Sequence, residues 1–225
     1  GKAHVSNDSA IRMIRSKDGE KWQSVGLLGY SVPKDYDATD IRDAKLSVTP
    51  SGQLMLTTAV ALIKDGSRTN QSICYFSSEG TLWKGPNEIG ILGEWMWRTV
   101  WHKGIAYNFA YNAGRQADLA QTYIQLYQSK DGINFETLGP KYCEGTFPNE
   151  HKMVFTDDGT CYVLLRRDGQ PGSALWGKAA PPYDNFEWKD LGVRIGGPEM
   201  LQLPTAGFLQ RYDYITTAIE PLFAG

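Results

Sequence analysis

Apolar residues fall in short runs along this chain, and turn-forming residues break the runs at regular intervals. One turn recurs three times: Ser16-Lys17-Asp18-Gly19-Glu20-Lys21-Trp22, Ser77-Ser78-Glu79-Gly80-Thr81-Leu82-Trp83 and Ser129-Lys130-Asp131-Gly132-Ile133-Asn134-Phe135. Each reads Ser-x-acid-Gly-x-x-aromatic and follows a run suited to a strand, at residues 10–14, 72–76 and 122–127. The chemistry is that of a turn: the acid accepts backbone N–H bonds, Gly supplies a positive φ, and the aromatic returns to the core. Tyr183-Asp184-Asn185-Phe186-Glu187-Trp188 is a degenerate fourth copy. Between these turns lie hairpins of another kind. Residues 45–48 and 53–60 flank Pro50-Ser51-Gly52, residues 99–101 and 105–111 flank His102-Lys103-Gly104, and residues 152–155 and 160–165 flank Asp157-Asp158-Gly159. Residues 200–203 open one more, before the poorer turn Pro204-Thr205-Ala206-Gly207.

Starting these units at Arg42, Arg98, Glu150 and Glu199 gives spacings of 56, 52 and 49 residues. Four strands per repeat of about that length is the mark of a β-propeller. No stretch shows sustained helical periodicity between caps, so almost no helix is expected. The expected fold is one all-β domain over residues 1–225, a propeller of four-stranded antiparallel blades. About four to five blades fit, with the first and last incomplete. In such a blade the loop before the innermost strand and the loop after the second strand open on one face, and the third-to-fourth-strand turn opens on the other. The Ser-x-acid-Gly turns then fall on the structural side. Arg42, Asp43, Arg98, Glu150 and Glu199 sit where innermost strands begin, while Asp65, Tyr111, Arg166, Arg167 and Asp168 sit where second strands end. Arg42, Glu150 and Arg166 are expected to line one pocket at the channel mouth, with Asp43, Arg98 and Glu199 near its rim.

Composition narrows the function. Lys+Arg 23 against Asp+Glu 25 gives a net charge of -2, so no basic field draws the chain to nucleic acid. The most apolar run, residues 54–63, carries Thr57 and Thr58 and is too short to span a bilayer. Three cysteines without a CxxC pair, and three histidines, argue against a disulfide scaffold, a metal site or any other cofactor. The abundant aromatics, among them 7 Trp and 12 Tyr, suit a β core and also a sugar-binding cleft. Trp95, Trp97 and Trp101 fit the blade core better than a sugar platform.

The same residues resemble the sialidases and their sialidase-like glycoside hydrolase relatives. The recurring turns look like a one-residue-shorter variant of that family's Asp-box, the BNR repeat. The stretch from Arg42-Asp43-Ala44-Lys45-Leu46 to Gly52-Gln53-Leu54 is similar to the family's Arg-Ile-Pro-x-Leu strand and its following turn, with Asp43-Ala44 in place of Ile-Pro. Asn149-Glu150, then Asp158-Gly159, then Arg166 is similar to the family's Glu…Asp-Gly…Arg unit, and the 16-residue spacing from Glu150 to Arg166 is the usual one. Gly196-Gly197-Pro198-Glu199-Met200-Leu201-Gln202-Leu203 looks like a segment of bacterial sialidase-like hydrolases. The resemblance implies that Glu150 polarises a tyrosine nucleophile and that Arg166 and Arg42 bind a sugar carboxylate. It also implies that an acid/base Asp falls near Asp65, and that the protein works outside the cytoplasm or in a periplasm. Sialidases have six blades, however. After Pro204 only Arg211, Tyr212 and Tyr214 remain for the third arginine and the tyrosine, so the chain is expected to be a fragment or a shortened relative. Its closure is expected to use a tail strand near residues 208–215, or another chain that covers an open sheet edge.

Read from the residues alone, each candidate has a plainer role. Arg42 and Arg166 bind a carboxylate or pair with Asp43 and Asp168 to stitch blades together. Glu150 is a general base or a loop carboxylate bonding backbone N–H groups. Arg98 and Glu199 rest on repeat position, and Lys64-Asp65-Gly66 reads equally as a turn. Three functions stay open: a sialidase-like exo-glycosidase on a terminal, acidic sugar; a two-carboxylate glycosidase on neutral sugars, pairing Glu150 with Glu199, Asp43 or Asp65; and a non-catalytic glycan-binding or scaffold propeller.

Overall fold

The computed structural model describes residues 9–112, 118–203, 208–211 and 216–219. His4, Tyr212, Tyr214 and the turn at residues 204–207 lie outside them, as does half of the expected tail strand. Among the described residues the structure is β throughout, apart from one 3-10 turn at Leu119–Gln121. No helix among them is long and apolar enough to cross a membrane.

Among the described residues, five sheets follow one another along the chain. The first pairs β1 (Ile11–Ser16) with β2 (Trp22–Leu28). The second runs in order through β3 (Ala38–Val48), β4 (Leu54–Lys64), β5 (Ser67–Ser77) and β6 (Lys84–Ile89). In the third, β7 (Glu94–Met96) and β8 (Val100–His102) both pair with β9 (Ile105–Asn112), which is followed by β10 (Ile124–Ser129) and β11 (Glu136–Tyr142). The fourth holds β12 (Pro148–Phe155), β13 (Cys161–Arg167), β14 (Leu175–Ala179) and β15 (Glu187–Asp190). The last is β16 (Glu199–Gln202), β17 (Phe208–Arg211) and β18 (Thr216–Ile219). All three expected hairpins form, at β3–β4, β8–β9 and β12–β13. The chain divides into two compact units, residues 1–108 with 128–136, and residues 109–127 with 137–225.

In the first unit the core is built by Met13, Ile41, Leu56, Val60, Leu62, Ile73 and Tyr75, with Ile11, Val25 and Leu28 packed against it. Strand β4 is buried along nearly its whole length, because it is a second strand with both sheet faces covered. That is why residues 54–63 read as a continuous apolar run rather than an alternation; each such Leu or Ile contributes about 1.5–3 kcal/mol by leaving water.

The recurring turns join β1 to β2, β5 to β6 and β10 to β11, and they share their bonding. Gly19, Gly80 and Gly132 have φ of 78, 78 and 77°. Their amides donate to the hydroxyls of Ser16, Ser77 and Ser129 at 2.8, 2.8 and 3.0 Å. Asp18 accepts from the amides of Glu20 and Lys21, and Asp131 from those of Ile133 and Asn134. Glu79, one methylene longer, takes the Thr81 hydroxyl instead. The aromatic corrects one expectation. Trp83 packs on the core, but Trp22 is 57% exposed. Both indoles donate to the carbonyl of the turn glycine, at 3.1 Å to Gly19 and 3.2 Å to Gly80, so the ring caps the turn whether or not it is buried.

In the second unit Leu164, Ala174, Trp176, Ile195 and Met200 form one cluster. Phe109, Tyr142, Phe186 and Trp188 form an aromatic group, in which Phe186 stacks on Trp188 at 5.6 Å. Gly177 is required beneath Trp188, since a Cβ there would lie 2.5 Å from the ring. The degenerate fourth turn supplies Phe186 and Trp188, and Tyr183, at φ 70°, takes the left-handed place of the missing glycine.

Candidate active site

The innermost strands of the second, third and fourth sheets are interrupted, and the interruptions hold Arg98, Glu150 and the neighbours of Arg42. In β3 the register moves from Arg42↔Ala59 to Lys45↔Thr57, one extra residue on β3. In β12 it moves from Pro148↔Arg167 to His151↔Leu165, again one extra residue. In the third sheet the break is complete, and Arg98 lies between β7 and β8. A bulge re-aims the side chains it carries, which is why such sites recur near functional groups. The bulges also correct the sequence register. Arg42 and Glu150 lie within strands rather than at their starts, and the pair Asp43-Ala44 in β3 occupies the place of Asn149-Glu150 in β12.

The β12 bulge builds a charged cluster inside the second unit. Arg166, on β13, donates from Nη1 to Glu150 Oε1 at 2.8 Å. It grips Asp168 with two further nitrogens, Nε to Oδ1 at 3.2 Å and Nη2 to Oδ2 at 3.0 Å. Arg194 adds Nη2 to Asp168 Oδ1 at 3.3 Å, and Asn149 adds Nδ2 to Asp168 Oδ2 at 2.9 Å. The second oxygen of Glu150 accepts the Gly197 amide at 3.1 Å. Arg166, Glu150 and Asp168 keep 27, 20 and 18% of their side-chain surface, so the cluster is half-buried but reachable. Burial alone would weaken the Arg166 charge, but the carboxylates of Glu150 and Asp168 outweigh it and raise its pKa above the ordinary value. Glu199, at the start of β16, pairs with Lys152 at 2.5 Å. His151, next to Glu150 in sequence, is fully buried, its ring edge-on to Phe109.

In the first unit Arg42 pairs with Asp40 rather than with Asp43. Asp40 is 2% exposed and also accepts the Ser9 hydroxyl at 2.7 Å. Thr58 holds the bulge by donating its hydroxyl to the Arg42 carbonyl at 2.5 Å. Asp43 is exposed at φ 60°. Asp65, at φ 49°, and Gly66, at φ 72°, form the two-residue turn closed by Lys64↔Ser67, with both central φ positive as a type I′ hairpin requires. Trp95 and Trp97 are buried, at 4 and 7%.

The structure therefore brings Glu150 and Arg166 into contact and sets Glu199 against Lys152. Sequence reasoning named Asp168 as a candidate ion-pair partner of Arg166, which it is, and gave no role to Asn149, Arg194 or Gly197. One signal was available. Residues two apart on a strand point the same way, so Asp168 follows Arg166 onto one side. The Gly197 amide could not have been found without the fold.

No family model matches this sequence, and no curated protein matches it. Solved structures do. A protein of unknown function from Dyadobacter fermentans has TM-score 0.77 at 20% identity, covering 95% of this chain and 67% of that one. An α-L-arabinanase from Penicillium chrysogenum, complexed with arabinobiose, has TM-score 0.69 at 14% identity, covering 96% and 71%. An endo-arabinase from Bacteroides thetaiotaomicron has TM-score 0.59 at 14% identity, covering 98% and 89%. At these identities the likeness is one of fold. The fold class is an all-β propeller with four-stranded antiparallel blades, of the kind glycoside hydrolases use, and both matched structures of named activity given above are arabinanases.

Proposed function

We propose that this protein is a glycoside hydrolase acting on neutral sugars, with Glu150 as the carboxylate that meets the substrate. The observation that carries the reading is the state of Arg166. An arginine that clamps an acidic sugar offers a paired N–H edge to the incoming carboxylate. Arg166 has already given that edge to Asp168 and a third nitrogen to Glu150. Binding an acidic sugar there would first have to displace a carboxylate of the protein itself. Both oxygens of Glu150 accept from N–H donors, the pairing of a carboxylate that acts as base or nucleophile. Glu199, two residues beyond the amide that touches Glu150, is the second carboxylate of the pair. A separation near 5–5.5 Å in the substrate complex would mean retention, and about 6.5–9.5 Å inversion. The arabinobiose-bound neighbour supports a neutral pentose as substrate.

The test sets 4-nitrophenyl α-L-arabinofuranoside, arabinobiose and xylotriose beside a fluorogenic sialoside. Turnover of at least one neutral substrate is expected, and Glu150→Gln should lower kcat by about a hundred-fold or more. Turnover of the sialoside alone would sink this reading. It would favour a second one, a sialidase-like hydrolase of acidic sugars, supported by the three Ser-x-acid-Gly turns and by the spacing from Glu150 to Arg166, which resembles the family's. Binding on a glycan array without turnover would favour a non-catalytic glycan-binding propeller.

A further inference from the structure

The two carboxylates that Arg166 joins are not in the same state, and counting donors separates them. An ionised carboxylate has about four lone-pair sites. Asp168 takes three hydrogen bonds, from Arg166 Nε and Arg194 Nη2 on Oδ1 and from Asn149 Nδ2 on Oδ2, and Arg166 Nη2 closes on Oδ2 as an ion pair at 3.0 Å. Glu150 fills two, with Arg166 Nη1 on Oε1 and the Gly197 amide on Oε2. A reacting carboxylate needs a free lone pair for the proton or the sugar carbon. Glu150 has two to offer, one on each oxygen, whereas each oxygen of Asp168 already faces two nitrogens.

Asp168 is also tied to the backbone that shapes the bulge. Its amide donates to the Phe147 carbonyl at 3.0 Å, and the Asn149 side chain donates to the same carbonyl at 3.2 Å. Asn149 Oδ1 in turn accepts the Glu150 amide at 2.7 Å. Two routes therefore run from Asp168 to Glu150. One passes through Arg166 to its carboxylate, the other through Asn149 to its main chain.

We propose that Asp168 is the positioning residue of this site: its carboxylate holds Arg166 and Asn149, and through them fixes both the side chain and the backbone of Glu150 without touching substrate. The proposal rests on the reading of Glu150 as the reacting group. Asp168→Asn tests it, because the amide keeps the shape but turns one acceptor into a donor that faces guanidinium or amide N–H groups. Two readouts are taken on the full chain: hydrogen exchange of the Arg166 Nε–H by NMR, and kcat and KM on 4-nitrophenyl α-L-arabinofuranoside. Exchange should quicken by about ten-fold or more. The value of kcat should fall by about ten- to a hundred-fold while KM stays within about three-fold, as expected for a misplaced reacting group.

Unchanged Arg166 exchange would overturn the proposal, and so would a loss confined to KM, which would put Asp168 on the substrate. Should Asp168→Asn not fold, Asn149→Ser tests the second route: exchange of the Glu150 amide should quicken by about ten-fold, and unchanged protection would overturn it. A wild-type protein that turns over none of the glycosides would end the hydrolase reading, while the exchange measurement would still decide whether Asp168 holds Arg166.

Discussion

The bulges of β3 and β12 are the same backbone device carrying different chemistry. Each inserts one residue into an innermost strand opposite the second strand of its sheet. At β3 the inserted pair is Asp43-Ala44, an exposed acid and a methyl group, and the neighbouring arginine pairs with a single buried carboxylate, Asp40. At β12 the pair is Asn149-Glu150; the amide closes onto the main chain, and the acid joins an arginine that also holds Asp168. A repeat thus fixes where the backbone opens. Individual substitutions decide which copy becomes a site.

The largest contrast is expected from removing the two arginines. Arg166→Ala would leave Glu150 without its cation and Asp168 with the exposed Arg194 alone. The group is half-buried, so the cost should lie between that of exposed and fully buried pairs, about 2–3 kcal/mol. Arg42→Ala strands one carboxylate, which keeps the Ser9 hydroxyl, so about 1–2 kcal/mol is expected. Urea denaturation of both variants measures the difference. The reverse order would show that the depth of Asp40 outweighs the number of carboxylates freed.

A second contrast lies in the support behind the β12 bulge. Gly169, next to Asp168, packs on the main chain before the bulge, and a Cβ there would lie 2.7 Å from the Thr146 carbonyl carbon and oxygen. Backbone cannot rotate away as a side chain can, so Gly169→Ala should cost about 1–3 kcal/mol and lower Tm accordingly. Gly52, in the turn that follows the β3 bulge, has nothing within 4 Å of its would-be Cβ, so Gly52→Ala should cost only the left-handed φ, about 1 kcal/mol. Equal losses would mean that the close approach at Gly169 relaxes freely.

Acid separates the turns from the bulges. Burial pushes the Asp131 carboxyl up, but hydrogen bonds from Asn134 and Ile133 and from the Ser129 hydroxyl outweigh it and hold its pKa well below the usual range. A carboxyl depressed in the folded state adds stability that is full above its unfolded value, about 3.9, and is lost as pH falls toward the folded one. The difference in stability between wild type and Asp131→Asn should therefore shrink as pH drops below about 4. Chemical denaturation at a series of pH values follows it, and a constant difference would place the effect of the substitution outside the charge.

How much of this was legible beforehand follows from which forces act locally. The turns were readable because each bond in them joins residues within a few positions: Ser16 to Gly19, Asp131 to Asn134. The hairpins were readable because Gly52, Gly104 and Gly159 mark positive φ, at 81, 85 and 88°. Spacing and the family resemblance put Glu150 and Arg166 in one expected pocket with separate roles; the direct ion pair between them was not anticipated. The place of the bulges was not legible, because one inserted residue changes no composition and β3 reads as an unbroken strand from Ala38 to Val48. That displaced the comparison of Arg42 with Glu150. The partner of Arg42 was misjudged for a related reason. Asp43 is its sequence neighbour, but successive residues on a strand point to opposite sides, and Asp40, two positions back, shares its side.

The smallest expected effect bears most directly on whether the β3 bulge has a role beyond shape. Asp43 holds φ 60°, a region that most side chains avoid and that Asp tolerates better than others. Its carbonyl accepts the Lys45 amine at 3.4 Å, and the residue is exposed. If the residue is there for the backbone alone, glycine relieves the strained φ but frees the unfolded chain, and the two effects nearly cancel. Asp43→Gly should then change stability by no more than about 0.5 kcal/mol, and Asp43→Ala should cost about 1 kcal/mol, since alanine keeps the Cβ penalty without the local bonding of an acid. Neither should alter glycoside turnover by more than about two-fold if only the backbone matters. A large loss of turnover in Asp43→Gly at unchanged stability would make its carboxylate functional, and the two bulges would then differ less than their bonding says.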